Sequence, residues 1–88
     1  MKYYIYVLNS KRDNNNYVGF TENLNERLNQ HREGKVTSTK YRRPLELVYY
    51  EVSFDKEDAL HRERYLKTTY GRRYIKNRLK NQIQGIEI

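Results

Sequence analysis

Three kinds of side chain stand out in this sequence for the chemistry they could do: a carboxylate among apolar positions, an arginine one helical turn from a histidine, and an excess of tyrosine. Glu63 falls on one helical stripe with Ala59 and Leu66, where periodicity calls for an apolar residue. Burying an ionised carboxylate without compensation is costly, so Glu63 requires a metal ion, an arginine or several donors. On periodicity alone a structural salt bridge is the ordinary solution and a hard divalent cation the functional one. Arg27 lies one turn before His31 on a helix whose Leu24, Leu28 and His31 share a stripe, so the two project together from the margin of the core. Tyrosine occurs ten times, against two Phe and no Trp. A phenol can donate, accept or, beside a cation, ionise, and only position separates a reactive one from strand packing.

Positive charge surrounds these candidates. Lys35, Lys40, Arg42 and Arg43 lie among Thr37, Ser38 and Thr39 in a basic, hydroxyl-rich stretch suited to phosphate, and Arg72 and Arg73 open a second basic run with Lys76, Arg78 and Lys80. For any one of them a solvated surface charge is as common an explanation. Eighteen Lys and Arg against eleven Asp and Glu give a formal charge of +7, which points to polyanionic partners and first to nucleic acid. The absence of cysteine excludes thiolate metal sites, disulfides and cysteine nucleophiles, and suits a reducing cytosol. No apolar run approaches the roughly 18 residues of a spanning helix, and Met1-Lys2-Tyr3-Tyr4 does not open a secretory signal. A cytoplasmic location without membrane association is therefore expected.

The elements that must position these groups follow from pattern. Residues 3 to 8 are aromatic and β-branched without a break and read as a strand inside a sheet. A polar loop leads to a second strand over residues 17 to 20, where Gly19 marks a close backbone approach or a bulge. Asn23 with Glu26 forms a capping-box start for a helix that Gly34 can close. A third strand is expected over residues 45 to 52. Asp55 caps a second helix running to about Thr68 with Gly71 beyond its end, and a third helix is expected over residues 72 to 82, with Ile75 and Leu79 inward. A chain of 88 residues carries one domain, placed at residues 1–82, with 83–88 a short tail.

The order of the pieces, Tyr4-Ile5-Tyr6, Tyr17-Val18-Gly19, Arg27 with His31, and then a lone Glu63, resembles the GIY-YIG nuclease family. Tyr4 stands for the first glycine of the family name and Val18 for the isoleucine. The likeness continues through Thr21, Asn23-Leu24, Pro44-Leu45, Leu47-Val48-Tyr49 and Leu66-Lys67, and is greatest to small stand-alone members, which are similar to the N-terminal catalytic domain of the excinuclease. The resemblance implies an α+β fold, a three-stranded antiparallel sheet with the first strand central and about three helices around it. It also implies a metal-dependent endonuclease acting on DNA, with RNA as the other candidate and low sequence specificity; a nucleic-acid-binding module with weak or no catalysis is the alternative. In that reading Glu63 holds Mg²⁺ or Mn²⁺ and Arg27 binds the scissile phosphate. Tyr6 is the general base, its phenol made more acidic by Arg27 or a metal-bound water, and Tyr17 and His31 orient the water or phosphate, although either could be the base. Asn77 is the nearest counterpart of an Asn that the family places after its Glu. No obligatory protein partner is implied.

Overall fold

Alternation along the opening run sends Ile5 and Val7 to one side and Tyr6 and Leu8 to the other, and all four are buried, which is why this strand carries no polar face. In the computed structural model, which describes residues 1–82 and 84–88, this strand is β1 (Tyr3–Ser10). It lies between β2 (Asn16–Thr21) and β3 (Leu45–Ser53) in an antiparallel sheet. The sheet has four strands in the order β2-β1-β3-β4, where three were expected, because β4 (Ile86–Glu87) adds to β3 opposite Glu46 and Leu47. Gly85 permits this: a Cβ there would collide with the Leu47 carbonyl oxygen. Its N–H donates to Glu46 Oε1 at 3.3 Å, and the Ile88 N–H donates to the Leu45 carbonyl at 3.2 Å.

The helices cover both faces. On the Tyr6 face, α1 (Leu24–Arg32) lays Leu24 and Leu28 over Tyr6, Leu8, Leu45 and Leu47. Asn23 is the cap the sequence specifies, its Oδ1 accepting the Glu26 N–H at 3.1 Å, with Gly34 in the left-handed region at φ +77. The reciprocal bond of a capping box is replaced by one from the Asn23 N–H to Thr21 Oγ1 at 3.1 Å. On the opposite face, α2 (Lys56–Leu66) and α3 (Thr69–Arg78) pack Ala59, Leu66 and Ile75 onto Ile5 and Val7. Helix α3 begins at Thr69, earlier than expected, because Thr68 is its cap and accepts the Gly71 N–H at 3.2 Å. Gly71, read from sequence as a stop, instead lies in the first turn of α3, where its missing Cβ lets that turn rest on the backbone of Tyr65 and Leu66. The molecule measures 32 × 28 × 19 Å, and among its described residues no helix is long and apolar enough to cross a membrane.

Candidate active site

The β1–β2 register pairs Tyr6 with Gly19 and Leu8 with Tyr17, so both signature tyrosines stand on the face covered by α1. Gly19 is the close approach that its type suggested. A Cβ at that position would run into the end of the Tyr6 ring, so the glycine is a notch for the phenol. Across from it α1 supplies Arg27 and His31. Tyr6 Oη lies 2.7 Å from His31 Nε2 and accepts from Arg27 Nε at 3.4 Å, and Arg27 Nη1 donates to Gln30 Oε1 at 2.9 Å. The Tyr17 ring completes the cluster, 6.3 Å from the Tyr6 ring and 5.3 Å from the His31 ring.

Sequence placed His31 at the core's margin, yet the structure buries it completely. The reason is the loop after α1, which folds back and places Thr39 Oγ1 2.7 Å from His31 Nδ1. Thr39 is itself buried and was not among the predicted site residues. Its only sequence signal is membership of a hydroxyl-rich stretch, which does not say which hydroxyl turns inward.

Burial sets the protonation of this cluster. It pushes the Tyr6 phenol up to about 12, and the hydrogen bond from Arg27, pulling the other way, does not offset it. Arg27 thus acts in the direction expected from sequence, and burial outweighs it. Burial, reinforced by the Arg27 cation, draws His31 down to about 4. At neutral pH the pair is thus a protonated phenol against a neutral imidazole. In one tautomer His31 Nδ1–H donates to Thr39 and Nε2 accepts the phenolic proton, leaving a lone pair on Tyr6 Oη outside its bond from Arg27. The same hydrogen bond from Arg27 raises the guanidinium's own pKa, so its charge is permanent.

Glu63 stands apart from these four. It projects from α2 on the stripe of Ala59 and Leu66, on the other face of the sheet, and its partner is Lys67 one turn on, with Nζ 2.7 Å from Oε2. Its side chain keeps 16% of its surface exposed. A groove of about 1320 Å³ is lined by Tyr17 of the cluster and by Lys67, the partner of Glu63, whereas Tyr6, Arg27, His31 and Glu63 themselves are not part of its lining. Lys11, Arg42, Arg72, Lys76 and Lys80 line it as well, against the acids Asp13 and Glu46. Among the described residues no three His, Cys, Asp or Glu side chains gather to hold a metal ion. A lone carboxylate is a poor cage for zinc or calcium, but it fits Mg²⁺ or Mn²⁺, which keep most of their waters and take phosphate oxygens as further ligands.

The basic residues divide by what they touch. Arg42 is engaged by Asp13 (Nε to Oδ2, 2.9 Å) and by the Asn15 carbonyl, and Lys35 pairs with Glu33 at 3.3 Å. Arg72 faces the groove, whereas Arg73 lies over the Tyr70 ring. Lys40 and Arg43 line a separate cavity together with Arg12 and Arg32, two residues that sequence reading did not select. Asn77 is exposed near the end of α3, and none of the described hydrogen bonds joins its side chain to the tyrosines.

Comparison with known proteins agrees with this fold. The GIY-YIG catalytic domain model matches residues 2–81. A UPF0213 protein of Staphylococcus haemolyticus is 43% identical over 68 residues, covering 76% of this chain and 82% of that protein. The UPF0213 protein YazA of Bacillus subtilis is 39% identical over 66 residues, covering 74% and 66%. Among solved structures, the solution NMR structure of a UPF0213 protein from Bacillus halodurans superposes with a TM-score of 0.60 at 27% identity, over 93% of this chain and 89% of that one.

Proposed function

The chain belongs to the GIY-YIG family, and from that premise we propose that it is a metal-dependent endonuclease that hydrolyses DNA phosphodiester bonds with low sequence specificity. The observation that carries the reading is the buried Tyr6–His31 pair with the half-buried Arg27 donating to the same phenol, and Tyr17 bordering a groove rich in cations. Packing alone gives no reason to hold a permanent guanidinium and a neutral imidazole against one phenol.

In the proposed reaction a strand lies in the groove, its phosphates held by Arg72, Lys76 and Lys80, and Arg27 donates to the scissile phosphate. Tyr17, half-buried and on the groove wall, meets that phosphate through its hydroxyl. Tyr6 accepts the proton of the attacking water as it passes its own to His31 Nε2. The pair acts as one base, which removes the need for a free phenolate. With Thr39 Oγ1 accepting from Nδ1–H, His31 Nε2 is free to take that proton. Glu63 would hold the divalent cation, which would supply neutralisation of the charge that develops during cleavage.

A nicking assay on single-stranded, duplex and branched DNA and on RNA, with Mg²⁺ or Mn²⁺, tests the reading. Wild type should nick, while Glu63→Ala and Tyr6→Phe should each lose at least about a hundredfold in rate. Activity unchanged by Glu63→Ala would sink the assignment. The Lys67 ammonium against Glu63 favours a second reading, a binding module without turnover, because it sits where a cation would bind. That reading predicts salt-sensitive binding with no metal-dependent nicking by wild type.

A further inference from the structure

The cations of this molecule are not equally available. Lys11, Lys35, Arg42, Arg62 and Lys67 each pair with a carboxylate. Arg12, Arg32, Lys40 and Arg43 pair with none among the described residues, yet they converge on one cavity of about 460 Å³ whose lining includes no Asp or Glu. Two of them are fixed by neutral partners. Arg43 donates from Nε to the Lys40 carbonyl at 3.0 Å and from Nη1 to the Arg32 carbonyl at 3.1 Å, and Arg12 donates from Nη1 to the Tyr41 carbonyl at 3.1 Å. Each guanidinium is thereby oriented without being neutralised, and each keeps unused N–H donors.

Gly34 belongs to the same arrangement. A Cβ there would come within 2.8 Å of Arg43 Cζ, so the glycine at the end of α1 makes room for that guanidinium. Beside these groups stands Tyr41, 72% exposed, with Lys40 Nζ 5.0 Å from its ring centroid. A large aromatic ring left in water next to four unpaired cations matches a chain of phosphates carrying flat bases. It matches a duplex poorly, because stacked bases offer no face to an outside ring.

We propose that this cavity docks an unpaired nucleic-acid strand, its phosphates against Arg12, Arg32, Lys40 and Arg43 and one base stacked on Tyr41. The proposal rests on the nuclease reading above and narrows its substrate to strands with unpaired nucleotides beside the cut. The loop that carries Lys40, Tyr41 and Arg43 also carries Thr39, so the docked strand would touch the segment that fixes His31.

The full chain provides the test. It contains no Trp, so the Tyr41→Trp variant has a single indole at the site. Single-stranded oligothymidylate or oligouridylate should quench that indole saturably, and a duplex of equal length should not. By fluorescence anisotropy, Tyr41→Ala should weaken single-strand binding about tenfold and leave duplex binding within about twofold, while Tyr41→Phe restores it. The Arg12→Gln, Arg43→Gln pair should lower the slope of log affinity against log salt by about one. Equal effects of Tyr41→Ala on single strand and duplex, or none on either, would overturn the proposal. So would quenching by phosphatidylserine vesicles but not by oligonucleotides. If metal-dependent nicking persists while Tyr41→Ala changes nothing, the docking site alone fails. If wild type neither binds nor nicks any nucleic acid, the nuclease reading fails and the docking site with it.

Discussion

His31 is where burial, hydrogen bonding and acid–base chemistry meet in one side chain. An imidazole held near 4 when folded binds its proton more weakly than in the unfolded chain, where the ordinary value is 6.5. The folded state's advantage is therefore complete above about pH 7 and is lost as the pH falls through the window between those values. Acidification from pH 7 to pH 5 should cost about 2 kcal/mol from this group, and thermal melts of wild type and His31→Asn at the two pH values measure it. A wild-type loss no larger than the variant's would refute the assignment. Thr39 allows a second test at this scale. Thr39→Val leaves His31 Nδ1 without a partner in a dry site and should cost about 1–3 kcal/mol in urea unfolding. Its nicking rate should fall as well, with Thr39→Ser recovering both. Retained activity in a correctly folded Thr39→Val protein would show that the tautomer is set by something else.

The elements β1, β2 and α1 were legible because each carries a strong local signal, although β1 runs past the apolar stretch to Ser10 and β2 extends over Asn16–Thr21. An apolar run marks β1, the Tyr-Val-Gly segment marks β2, and Asn23 with Glu26 caps α1. What pattern missed has equally local causes. Strand β4 has two residues, too few for any period, and exists because Gly85 can approach the Leu47 carbonyl. Gly71 carried the sign of a helix stop, but its role is contact between helices. Gly71→Ala should therefore destabilise by about 2 kcal/mol or more despite alanine's better helix propensity, a sign that equilibrium unfolding decides. At the site, periodicity found Arg27, His31 and Glu63 as individuals, and only the order of motifs tied them to Tyr6 and Tyr17. Thr39 stayed invisible because a loop's sequence does not state its path. The notch at Gly19 also separates two roles of Tyr6. Tyr6→Phe keeps the ring in place without its hydroxyl, whereas Gly19→Ala keeps the hydroxyl and displaces it. Comparable losses of nicking in both variants would show that position matters as much as chemistry.

At the scale of the whole molecule the governing quantity is charge, +7 over 88 residues, spread over a basic groove and a separate cationic cavity. Binding to any nucleic acid should weaken steeply with salt, and Glu63→Ala should retain it, since removing one carboxylate adds to the positive field. Anisotropy titrations across a salt series check this, and an affinity indifferent to salt would remove the electrostatic basis of both proposed contacts. The dimensions bear on selectivity. A longest extent of 32 Å spans about nine base pairs of duplex at 3.4 Å per step, and fewer nucleotides of an extended single strand, so one copy reads less than a full turn of duplex. Such a footprint is too short to single out an address in a genome. Affinity should climb with oligonucleotide length only up to about that limit. Beyond it the gain becomes statistical, and several copies crowd onto one strand.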